Sequence, residues 1–131
     1  MKKFLTVSSF LEGTTGIALL SKPSIVISLL LGAPLVEPLG IMITRIAGAA
    51  LFSIALVCWF LRKNNSALGL LTALLFYNIV SSLLLSYAGF YENLMGIVLW
   101  LAVVTHIGLA FWCVMLLLRT RNNVYHTRNK E

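Results

Sequence analysis

Glu12, Arg45, Asn78 and His106 are the residues of this chain whose types permit chemistry, and each sits near the middle of a different long apolar stretch. A carboxyl, a guanidinium, a carboxamide and an imidazole between them offer ion pairing, proton exchange and hydrogen bonding in both directions. Glu12 and Arg45 form the natural ion pair if Arg45 reaches inward; with the helices offset the other way, Arg45 snorkels to the outer surface and leaves Glu12 to His106 or Asn78. An imidazole exchanges protons near neutral pH, so Glu12 with His106 makes either a proton relay or a set of polar contacts for the headgroup of a quinone-like or other lipophilic ligand. A charged group at the centre of a bilayer costs at least about 2.5–3.5 kcal/mol, which makes an intramembrane ionisable residue a functional candidate by default. The four groups can equally satisfy one another and do no more than fix helix register and pairing.

Spacing tests whether these groups meet. A helical rise of about 1.5 Å per residue, counted from the basic end of each stretch, puts Glu12 roughly 12 Å deep, Asn78 and His106 roughly 18 Å, and Arg45 roughly 24 Å. Small neighbours mark faces where helix backbones approach in membranes. Glu12 shares its face with Ser8, Thr15 and Gly16, Arg45 with Gly48 and Ala49, Asn78 with Ser81 and Ser82, and His106 with Ala102, Ala110 and Cys113. All four are therefore expected to point inward, with Leu51, Ile54 and Leu56 turned to lipid.

The elements that must position them follow from composition and block structure. Of the 131 residues, 60% are hydrophobic and 11% charged, against roughly 25% charged in a typical soluble domain, too few to coat a water-facing surface. The apolar residues fall into long blocks, the pattern of bilayer-crossing helices. Spans are predicted at 4–20, 39–61, 67–87 and 94–118, with a short helix at 23–31 that is too short to cross. Ser21-Lys22-Pro23-Ser24 is a break and restart, since Pro suits the first turn of a helix. Pro34 and Pro38 with Gly32 end the short helix in a loop. The segment 88–93 is expected to turn between the third and fourth spans, with Tyr87, Phe90 and Tyr91 as interfacial aromatics and Trp59 and Trp112 at the opposite boundary. The expectation is an all-α, antiparallel four-helix transmembrane bundle with one extra interfacial helix, forming a single domain over 1–118, followed by a basic tail at 119–131.

Ten Lys and Arg against four Glu suggest a nucleic-acid ligand only as a total. Lys2, Lys3, Arg62, Lys63, Arg119, Arg121, Arg128 and Lys130 all fall on one side of the spans, opposite Lys22, Glu37 and Glu92. By the positive-inside rule both termini are cytoplasmic, and the partner of the basic residues is the bilayer. Glu12 interrupts the first apolar block and no small-residue cleavage site follows it, so that block is expected to be a retained helix and not a signal peptide. Cys58 and Cys113 are expected to be reduced packing thiols. No arrangement of Ser, Cys, His or carboxylates matches an activated nucleophile or a metal site, so catalysis is not expected and no cofactor is specified.

The Pro-led short helix with Leu29-Leu30-Leu31-Gly32, followed by a span carrying Arg45-Ile46-Ala47-Gly48-Ala49, resembles the DoxX-like group of small bacterial four-helix membrane proteins over most of 4–118. The resemblance implies a location in the bacterial inner membrane and an association with quinone-linked redox chemistry, with no motif here assigning that role to particular residues. The small multidrug transporters also carry a Glu in their first helix, as Glu12-Gly13-Thr14-Thr15 does. This chain lacks their Gly-Val-Gly element in the third helix and has a stronger charge bias. The leading expectation is a membrane protein that binds a lipophilic ligand or supports a membrane complex through the four polar groups. The alternative is a small proton-coupled transporter using Glu12.

Overall fold

A computed structural model describes residues 1–64 and 67–128, with side chains through Thr120. The described residues form five helices, α1 (Lys2–Ser21), α2 (Pro23–Leu31), α3 (Pro38–Leu61), α4 (Leu68–Phe90) and α5 (Leu99–Arg128). Four of these are long and apolar enough to cross a membrane: α1, α3, α4 and α5 over Leu99–Thr120. Large apolar side chains such as Phe10, Ile46, Phe60, Phe76 and Leu83 cover the outer surface, an arrangement suited to hydrocarbon and unsuited to water. The chain is a multi-pass helical membrane protein. Several hydroxyls on the spans bond back to their own helices, as Thr14 does to the Phe10 carbonyl and Thr105 to the Leu101 carbonyl, which satisfies them without water.

Local chemistry sets most of the helix boundaries. Pro23 and Pro38 occupy the first turns of α2 and α3, where a missing N–H loses nothing. Gly32 ends α2 in the left-handed conformation at φ 73°, its N–H on the Ser28 carbonyl. Two boundaries differ from the sequence expectation. The third span runs on to Phe90, because Ala88-Gly89-Phe90 contains no residue that stops a helix and Gly89 packs against Leu99 and Trp100. The fourth span starts at Leu99 and not at Leu94. Residues 94–98 instead pass beside the end of α2, where Val98 donates its N–H to the Leu29 carbonyl at 3.2 Å. Gly96 lies against the Leu29 and Leu30 backbone so closely that a Cβ would collide with it. The basic stretch after Leu118 continues as helix to Arg128; only the backbone is described at Arg121 and Arg128, and Lys130 lies outside the described residues.

The spans pack as two pairs, α1 against α3 and α4 against α5, with α2 reaching α1, α3 and α5. The first pair is held at glycine distance. A Cβ on Gly16 would stand 2.7 Å from the Gly48 carbonyl oxygen, and a Cβ on Gly48 would stand 2.9 Å from that of Gly16. The two pairs converge at the end of the bundle that holds Met1 and Arg62. There Phe4, Leu5, Cys58, Ala67, Leu71, Leu74, Leu109 and Cys113 form one buried cluster drawn from all four spans. Both cysteines are free and buried. Toward the other end, which carries α2, the pairs separate.

Candidate functional site

The separation leaves a cavity of about 450 Å³ between the two pairs. This is within the roughly 300–1,000 Å³ typical of small-molecule sites. Its wall is mostly aliphatic, from Leu11, Leu19, Leu51, Leu85, Leu101 and Leu109 among others, and Leu30 of α2 and Val98 close it at the α2 end. The polar atoms on the wall come from Glu12, Thr15, Tyr77, Ser81, Thr105 and His106, and no Lys or Arg contributes.

Glu12 is 4% exposed, and its Oε2 accepts from the Tyr77 hydroxyl at 3.3 Å. The Tyr77 ring meets the His106 ring edge to face, with centroids 5.6 Å apart at 85°. His106 Nδ1 lies 2.9 Å from Asn78 Oδ1, and Asn78 Nδ2 donates to the Leu74 carbonyl at 2.7 Å. Those two contacts settle the imidazole. The amide of Asn78 is oriented by its own bond to Leu74, so it presents an acceptor to the ring, Nδ1 carries the proton, and in the neutral ring Nε2 holds a free lone pair. Among the described residues, Ser8 Oγ is the one sealed side-chain polar atom that lacks a partner. Glu12 Oε1 and His106 Nε2 also have no protein partner there, so both are reached from the cavity.

Glu12 and His106 thus line the cavity directly, while Asn78 is 1% exposed and stands behind His106. Arg45 does not join them, contrary to the expected Glu12–Arg45 pair. It is exposed on the outside of α3, and the contact register explains why. Gly13 of α1 sits beside Ala55 and Gly16 beside Gly48 and Phe52, and the two helices run antiparallel, so Glu12 is level with Ala55 and Leu56. Arg45 lies about ten residues nearer the start of α3, roughly 15 Å at the helical rise, and on a different face. Two of the three leucine and isoleucine positions expected to meet lipid are also relocated: Leu51 lines the cavity and Ile54 packs on the buried cluster, while Leu56 is exposed.

Tyr77 is the residue that the spacing argument passed over. A usable signal existed, because tyrosines in membrane proteins concentrate at the interfaces and one at mid-span demands a polar partner. Thr15 and Ser81 entered only as small neighbours, and Thr105 not at all. Among the described residues no group of His, Cys and Glu could hold a metal ion.

Comparison with known families, curated proteins and solved structures returns no match for this chain. Fold and site therefore define a class, a helical-bundle membrane protein with a mostly aliphatic intramembrane cavity that carries a few polar groups, and the reading of its function rests on that cavity.

Proposed function

We propose that this protein binds a lipophilic small molecule in the cavity between the α1–α3 and α4–α5 pairs, within the bacterial inner membrane and with both termini cytoplasmic. The observation that carries the reading is an aliphatic chamber of about 450 Å³ with a carboxyl and an imidazole acceptor on its wall. A bundle that used these groups only to fix register would pair them with each other and leave no space. Leu11, Leu84 and Leu101 at the rim are exposed and lie within spans, so a ligand reaches the chamber from the hydrocarbon. The likeness to DoxX-like proteins agrees with a lipophilic ligand, and the one-sided Lys and Arg distribution supports the orientation.

The test fills the chamber. Ala102 is a small residue on its wall. Protein purified in lipid nanodiscs should release a bound apolar compound on extraction and mass analysis, and Ala102→Trp, folded to the same helicity and size, should release none. Equal recovery from both proteins, or none from either, ends the reading. A proton-coupled exporter is the other use of Glu12. It requires a path from Glu12 to each face, and the cluster around Phe4, Leu71 and Cys113 packs the end that holds both termini. Loss of pH-driven efflux in Glu12→Gln, with the fold intact, is the result that would establish it.

A further inference from the structure

Hydrogen-bond donors on the cavity wall are almost all committed to the protein. The Tyr77 hydroxyl donates to Glu12, Thr105 donates to the Leu101 carbonyl at 2.8 Å, and His106 Nδ1 donates to Asn78. What faces the chamber without a partner is a pair of acceptors, Glu12 Oε1 and the lone pair of His106 Nε2. They belong to one patch, since Tyr77 touches Glu12 through its hydroxyl and His106 through its ring. The Thr15 hydroxyl, which serves in either role, adds to them, while the Ser81 hydroxyl is engaged with that of Tyr77. The wall also holds a carboxyl with no cation beside it, and a carboxylate buried in apolar surroundings either takes up a proton or is stabilised by a counter-charge.

We infer that the ligand is a lipophilic ammonium, an amine cation bearing at least one N–H, with its nitrogen donating to Glu12 Oε1 and His106 Nε2 and its apolar body against the leucines. This rests on the cavity being a ligand site and specifies the ligand's chemistry. The cation supplies the counter-charge that Arg45 does not, and its N–H groups match acceptors that the fold leaves unpaired. With Glu12 ionised, a quinone or ketone headgroup brings further acceptors to a polar patch that is itself mostly acceptors. A quaternary ammonium brings the charge without the donors.

Three probes sharing one aromatic body separate these cases: naphthylmethylamine, its trimethylammonium analogue and acetonaphthone. They are titrated calorimetrically at neutral pH against the full chain in nanodiscs, with empty nanodiscs correcting for partition into lipid. The amine is expected to bind on the order of tenfold more tightly than either of the others, a difference of about 1.4 kcal/mol. Glu12→Gln, which keeps the shape of the side chain, should weaken the amine by a similar factor and leave acetonaphthone unchanged. Because the probe series runs on the unaltered protein, the result does not depend on the folding of any variant. Acetonaphthone or the quaternary probe binding as tightly as the amine, or an amine affinity indifferent to Glu12→Gln, overturns the ammonium assignment while the cavity reading stands. No saturable binding by any of the three, with Ala102→Trp indistinguishable from the parent, overturns both.

Discussion

At the scale of single residues, the site is a short relay of polar contacts in which Tyr77 is the centre. It gives Glu12 its one protein donor at 3.3 Å and packs edge to face with His106, whose Nδ1 is held by Asn78 at 2.9 Å. Hydrogen bonds between side chains of membrane helices average about 0.6 kcal/mol and reach about 1.7 kcal/mol, because the separated helices also find other partners. A double-mutant cycle on Tyr77→Phe and Glu12→Gln is expected to give a coupling energy of about 0.5–1.5 kcal/mol in reversible unfolding from detergent. Additive losses, with no coupling, mean that the hydroxyl does not donate to the carboxyl in the folded protein.

Helix pairing is decided by glycines whose backbones touch. Gly16 and Gly48 approach so closely that either Cβ would meet the other's carbonyl oxygen inside 3.0 Å, so Gly16→Ala forces α1 and α3 apart. Overpacking of this kind typically costs about 1–3 kcal/mol. Gly108 on α5 offers the control, since nothing lies within 4 Å of its added Cβ. Gly108→Ala should leave stability unchanged or raise it slightly, alanine being the better helix former by up to about 1 kcal/mol. Thermal unfolding of the two variants side by side checks the register: equal tolerance at both positions is incompatible with the α1–α3 contact.

The whole molecule is two helix pairs joined at one end by a buried cluster and parted at the other by a chamber that α2 and residues 94–98 cover. That asymmetry puts the sealed end with the basic residues Lys2, Arg62 and Arg119. In the orientation proposed from the charge rule, that end is cytoplasmic. On a background with Cys58 and Cys113 replaced by serine, Glu92→Cys should react with an impermeant maleimide in intact cells, and Lys63→Cys should react only after lysis. The reverse pattern would falsify the orientation and put the α2 cover on the inside.

Much of the architecture was legible in the residues alone. Block hydropathy sets the number of spans, Pro23, Gly32 and Pro38 punctuate the short helix, and small neighbours mark the inward faces of Glu12, Asn78 and His106, because each of these is a local property of a helix in lipid. Arg45 shows where such local marks fail. It shares a helix with Gly48 and looks inward by spacing, yet a turn of helix and a shift of register along α3 carry it to the surface. Register between helices is a property of two surfaces in contact, and neither surface alone encodes it. The same holds for the cavity. That Leu51 faces a chamber instead of lipid, that Tyr77 falls between Glu12 and His106, and that Gly96 lets residues 94–98 close the α2 end all depend on how far the two pairs separate. The sequence by itself determined a four-span membrane bundle with polar groups inside it; only the packing of one helix pair against the other decided that those groups border an open space and that the carboxyl there has no cation beside it.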